Sequence, residues 1–205
     1  MTDDKDGRER ILQVARRCFA RWGFEGTSTR KIASEANVAQ SLILYHFATK
    51  EELWRSVMVD SFLQMIEHHL KQQPALTGLS PKELFKASIR TYVESTAKEP
   101  DHHRLMVQVN SASSDRLNWI VDNYVKAFHT QLMGAIRAGQ AAGFVKPMDP
   151  TLIYYSIIAL AGTPFIAEPE IERLGADKSG LTSDAIADAI FALIIVDHDD
   201  DHVSD

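Results

Sequence analysis

Apolar residues recur at three- and four-residue intervals along most of this 205-residue chain. That is the period of amphipathic helices, not the alternation of strands. Between Gly7 and Trp22 the positions Ile11, Leu12, Val14, Ala15, Cys18, Phe19 and Trp22 form one stripe, and Arg8, Arg10, Arg16, Arg17 and Arg21 take the others. The pattern predicts a helix with a cationic outer face, ended by Gly23. After GFEG, the hydroxyls of Thr27, Ser28 and Thr29 offer N-caps to a short helix, RKIASEA, with Ile32, Ala33 and Ala36 inward. Asn37 tolerates the left-handed backbone that stops a helix abruptly. A second short helix is expected over residues 39–46. Two short helices split by so tight a turn have helix-turn-helix spacing.

Thr49 and Glu52 form a capping box that opens a longer helix, with Leu53, Trp54, Val57, Met58, Phe62, Met65, Ile66 and Leu70 on its apolar side. QQPALTGLSP breaks it. Further helices are expected over residues 81–98, from Pro100 onward, and over 115–142. Pro150 opens another at its first turn, where a missing N–H costs nothing. Thr182 or Ser183 caps a last one, DAIADAIFALII. With no hairpin signal, alternating run or Gly-rich phosphate loop, the chain reads as all-α. The expected organisation is a helix-turn-helix domain over 1–50, a helical domain over 51–197, and an acidic, disordered tail over 198–205.

Composition narrows the classes. Hydrophobic residues make up 45% and charged residues 24%, ordinary for a soluble protein. No stretch approaches the roughly 18 apolar residues that span a bilayer. The opening MTDDKDGRER is polar and acidic, unlike a signal or transit peptide. A cytoplasmic protein without a membrane partner is expected. Cys18 is the single cysteine, which excludes an internal disulfide and a Cys-based zinc cluster. It lies on an apolar stripe, where an inert thiol is expected. The pairs His68-His69 and His102-His103 point about 100° apart on a helix, poor geometry for shared ligation. His198 and His202 fall in the tail. No nucleophile-base set and no cofactor fingerprint is legible, so neither enzyme, metal site nor cofactor is expected. A net charge of −6 argues against nucleic acid, yet residues 1–55 carry 10 Lys/Arg against 8 Asp/Glu and the remainder 12 against 20.

The second short helix decides what the N-terminal segment does. Helical geometry turns Val38, Ile43 and Phe47 inward and leaves Gln40, Ser41, Leu44, Tyr45 and His46 largely outside. A helix that merely packs has little use for such an outer face. Gln can make a bidentate contact to adenine, Ser can reach base or phosphate, and Leu42 or Leu44 can lie on thymine methyls. Thr29, Arg30, Lys31 and Lys50 are placed to hold phosphates. The alternative is a three-helix bundle with an incidentally polar surface.

The stretch TSTRKIASEANVAQSLILYHFATKEEL closely resembles the DNA-binding region of TetR-family transcriptional regulators, through both helices, the turn, the aromatic-His-Phe ending and the Lys-x-x-Leu that follows. The strong similarity covers residues 8–55. It implies that Thr29 and Arg30 meet DNA from the second helix. Gln40, Ser41 and Leu42 then start the recognition helix, Tyr45 and His46 end it, and Lys50 contacts phosphate. Leu44 departs from the family's usual aromatic, and Asn37 replaces a common glycine.

The helix at 151–165, apolar on nearly every face, must be covered all round. The last helix also has a wide apolar face with small alanines. Ile157 and Leu160, with Ile186, Ile190, Leu193 and Ile194, are therefore candidates for half of a two-fold four-helix interface. They could equally belong to a monomer core. The resemblance implies a homodimer, a double-stranded palindromic operator and a small-molecule effector, in a ligand-responsive repressor. Tyr92, Met106, Asn110, Trp119, Tyr124, Phe128, Tyr155 and Phe165 lie in the region where related regulators enclose an inducer, and they suit a mostly apolar molecule. The competing class is a helical ligand-binding or protein-interaction dimer that has lost specific DNA binding.

Overall fold

A computed structural model describes residues 2–72, 77–111 and 115–196, with side chains from Asp6 onward. The expected tail at 198–205 lies outside these residues. The helices in chain order are α1 (Thr2–Trp22), α2 (Thr29–Ala36), α3 (Gln40–Phe47), α4 (Lys50–Gln72), α5 (Pro81–Lys98), α6 (Pro100–Asn110), α7 (Asp115–Ile120), α8 (Lys126–Ala141), α9 (Pro150–Ile166), α10 (Glu168–Arg173) and α11 (Ser183–Ile194). The fold is all-α. The one departure among the described residues is an isolated antiparallel bridge between Val145 and Ile195.

Two compact units form, Met1–Ile66 with Asp101–Ser114, and Glu67–Pro100 with Asp115–Asp205. Sequence reading places the boundary near residue 50; the first unit instead runs four turns further and takes in most of α6. The reason is burial. Leu53, Trp54, Val57 and Met58 of α4 are fully sequestered, and Ser61 meets His102 of α6 at 2.7 Å. In the N-terminal core, Ile11, Cys18 and Phe19 of α1 are buried along with Ile32 of α2 and Ile43 and Phe47 of α3. Phe24 stacks on Phe19 and meets Trp54 edge-on.

Arg16 does not join the cationic outer face expected for α1. Its side chain is only 10% exposed and binds the Asp60 carboxylate and, at 2.9 Å, Gln64 Oε1. A guanidinium can leave water only with such partners, and a helical repeat cannot reveal partners 44 and 48 residues away.

In the second unit the apolar sides of α5, α8, α9 and α11 close over one core, including Phe85, Ile89, Ile136, Ile153, Tyr154, Ile190 and Ile194. Gly139 is required by this packing, since a Cβ there would sit 2.5 Å from Val145 Cγ2. The expected helix over 115–142 is continuous but carries a π-helical turn at Val121–Val125. The Asn123 side-chain amide donates to the Trp119 carbonyl at 2.7 Å beside this turn. A wider turn shifts the register without breaking the apolar repeat, so periodicity alone does not disclose it.

The core also corrects the expected interface. Ile157, Ile186, Ile190 and Ile194 are core residues of a single chain. Leu160 and Leu193 remain exposed, together with Leu152, Tyr155, Ala185, Ala189 and Ala192. The apolar repeat of α9 and α11 is wide enough for two faces, one turned to the core and one left outside.

Candidate DNA-binding interface

Local chemistry fixes the two short helices. Ser28 is the N-cap of α2, its Oγ accepting from the Lys31 N–H at 3.1 Å. Thr27 is buried behind it, its hydroxyl within reach of the Cys18 and Gly23 carbonyls at 3.1 and 2.8 Å. Asn37 sits at φ 52° and ψ 50°, the left-handed stop expected of it. The Val38 N–H closes the turn on the Ala33 carbonyl at 3.0 Å.

The far end of α3 departs from expectation. Thr49 caps α4 through the Glu52 N–H at 3.1 Å, but the reciprocal half of the capping box is missing. The Thr49 N–H goes to the Phe47 carbonyl instead, through a γ-turn at Ala48, φ 47° and ψ −49°. A residue with a Cβ is strained there, and that strain fixes how the chain leaves the recognition helix.

The sides of α3 are now distinct. Ile43 and Phe47 are buried, whereas Gln40, Ser41, Leu44 and Tyr45 are exposed on one face at i, i+1, i+4 and i+5. Tyr45 is 74% exposed and Leu44 47%. Leu44 thus stands beside Tyr45, as the pairing of 40 with 44 and 41 with 45 on adjacent helical turns foretells. Leu42 and His46, both expected at DNA, are half-buried. Leu42 packs toward α1, where a Cβ at Gly7 would meet its Cδ2 at 3.6 Å. His46 faces a cleft of about 450 Å³ that Arg8, Leu12, Phe47 and α4 residues also line.

Around this face, Thr29 is half-buried and Arg30 exposed at the start of α2. The Gln40 amide nitrogen donates to Thr29 Oγ1 at 3.0 Å, tying the two short helices together across the turn. Two cations rest on rings, Lys50 Nζ 4.1 Å from the Phe24 centroid and Lys31 Nζ 3.0 Å from that of Trp22. Burial and the neighbouring Glu35 carboxylate, 3.4 Å from its Sγ, push the Cys18 thiol up to about 12. A thiol held protonated is inert, as its stripe position suggests.

The candidate effector residues are dispersed. Met106 and Asn110 belong to the first unit and the rest to the second. There Tyr92 stacks on Phe128 at 5.4 Å, and Trp119 meets Tyr124 edge-on at 5.6 Å. Burial, with Tyr154 nearby, raises the Tyr92 phenol well above its ordinary range. Phe165 packs against the core, and Tyr155 is exposed.

A short helix buried on one side and polar-aromatic on the other, set across a left-handed turn from a capped partner, defines a helix-turn-helix motif. Residues 11–57 match the family described as bacterial regulatory proteins, tetR family, and residues 78–189 match a tetracyclin repressor-like C-terminal domain. The chain belongs to the TetR family. It is 27% identical over 149 residues to the transcriptional repressor AcnR of Corynebacterium efficiens, covering 64% of this chain and 79% of that protein. To the regulator RutR of Escherichia coli K12 it is 27% identical over 167 residues, 80% and 76% of the two. These relatives are regulators, not enzymes. The fold is shared with HlyIIR, a hemolysin II transcriptional regulator, at a TM-score of 0.65 over 95% of this chain and 99% of that one, with 20% identity. Among the described residues no helix is long and apolar enough to cross a membrane.

Proposed function

We propose that the protein is a ligand-responsive repressor that binds a palindromic operator as a homodimer. The observation that carries this is the exposed face of α3, where Gln40, Ser41, Leu44 and Tyr45 stand clear of a helix whose other side is core. Gln40 and Ser41 reach base edges, and Leu44 lies against a thymine methyl in place of the family's aromatic. Thr29, Arg30 and Lys50 hold the backbone. Leu42 and His46, half-buried, flank this face. The test is binding to the duplex upstream of the protein's own coding region, beside a scrambled duplex, across several salt concentrations. Gln40→Ala is expected to cost roughly 1–3 kcal/mol on the operator and relax preference, whereas Lys50→Ala weakens both duplexes and lowers the salt slope by about 1. Equal binding of both duplexes by a protein indifferent to Gln40→Ala would instead favour the helical module that has lost DNA readout.

For the dimer, support comes from the apolar side chains that the core leaves outside, Leu152, Tyr155 and Leu160 of α9 and Leu193 of α11, with Ala185, Ala189 and Ala192 permitting close approach. Leu193→Asp places a carboxylate in that seam and is expected to convert a dimer to a monomer in sedimentation equilibrium. A monomeric wild type would end this assignment. An apolar effector is supported by the aromatic pairs Tyr92–Phe128 and Trp119–Tyr124, the latter around the π-helical turn. The effector shifts binding only by its differential affinity for two conformations, typically about 1–3 kcal/mol.

A further inference from the structure

We infer that Thr29 is a positioning residue that sets base specificity, holding the Gln40 carboxamide in the orientation that selects adenine. This rests on the reading of α3 as the base-facing helix. The geometry behind it is one hydrogen bond between two helices, Gln40 Nε2 donating to Thr29 Oγ1 at 3.0 Å. Gln40 is the first residue of α3, and the preceding Ala39 offers no side-chain cap. An exposed glutamine has several rotatable bonds and sweeps through many orientations, so anchoring one end reduces what must be ordered when DNA arrives.

Donor and acceptor counting gives the direction of the preference. The amide nitrogen carries two hydrogens and the oxygen only accepts. With one N–H committed to Thr29, a second N–H and Oε1 remain. That is one donor and one acceptor, the complement of adenine N7 and N6 in the major groove. With the amide turned over, Oε1 would face Thr29 and only N–H groups would point outward, which suits the two acceptors of guanine. A free hydroxyl can serve either state, accepting from nitrogen or donating to Oε1. When a phosphate oxygen takes the Thr29 proton, only the hydroxyl's lone pairs face Gln40, which holds the first state and joins a backbone contact to a base contact. Thr29 at the first turn of α2 therefore affects a base it does not touch.

The experiment is selection of bound duplexes from a randomised pool by the full-length protein and by Thr29→Val, Thr29→Ser, Gln40→Ala and the double variant Thr29→Val with Gln40→Ala. The expected result is that Thr29→Val lowers the adenine preference at a single position by about fivefold or more, with the other positions unchanged. Thr29→Ser, which keeps the hydroxyl, retains the preference. The double variant matches Gln40→Ala at that position. A Thr29→Val profile that keeps the preference while affinity falls for every sequence would overturn the inference, leaving Thr29 a phosphate contact alone. A preference untouched by Gln40→Ala would overturn the base-facing assignment beneath it, a separate outcome in the same data. Thermal melts of each variant identify any that fail to fold, and Thr29→Ala provides a second test of the missing hydroxyl.

Discussion

Between about pH 7 and pH 4 the protein is expected to lose on the order of 3 kcal/mol of stability through His102 alone. Burial, reinforced by the charges of His103 and Arg16, pushes this imidazole from 6.5 down to about 3. In that window the unfolded chain takes up a proton that the folded protein refuses. The stabilising contribution is thus fully present above the ordinary histidine range and drains away as pH falls toward the folded value. Burial lowers His103 in the same direction. The neutral ring has its Nδ1 2.7 Å from Ser61 Oγ and Phe62 edge-on at 4.8 Å. Urea titrations at a series of pH values would measure the slope for wild type and His102→Gln. A variant that keeps the wild-type slope in full would show that this histidine does not carry it.

Asp60→Ala is expected to destabilise the first unit by about 3 kcal/mol, more than Arg16→Met does. The asymmetry follows from exposure. Removing Asp60 takes a carboxylate away from a guanidinium whose side chain is only 10% exposed, where lost charge compensation is costly. Removing Arg16 leaves Asp60 at 32%, able to turn toward water. The long methionine also refills part of the space that the arginine stem occupied. Denaturant midpoints of the two single variants and the double would settle the order. Equal losses would mean that the pair is solvated much as a surface bridge is.

The reader was legible in the sequence because its determinants are local. Hydroxyl caps, the asparagine turn and the apolar repeat act over a few residues, and Ser28, Asn37 and Ile43 take the places they predict. What periodicity missed depends on distant partners or on competition between faces. The burial of Arg16 needs Asp60, 44 residues on. The capping box at Thr49 was half lost because a strained turn at Ala48 claimed its backbone N–H. Leu42 and His46 fall between the inner and outer faces of an eight-residue helix, where a heptad count cannot rank them. In α9 and α11 nearly every position is apolar, so hydrophobicity could not tell the core from the outer face. Ile153, Ile157, Ile186, Ile190 and Ile194 lie inward with Ala161 and Ala187. Leu152, Leu160 and Leu193 lie outward with Ala185, Ala189 and Ala192, so neither volume nor residue type ranks them.

The first unit is spliced from two stretches of chain, Met1–Ile66 and Asp101–Ser114. A gene cut after the codon for Ile66 would omit the imidazole that meets Ser61 and the buried Leu105 and Val109 of α6. Grafting this helix-turn-helix unit onto another domain therefore means transplanting a discontinuous module. The recipient must supply its own copy of α6, or the graft must carry the Asp101–Ser114 stretch on a linker from Ile66.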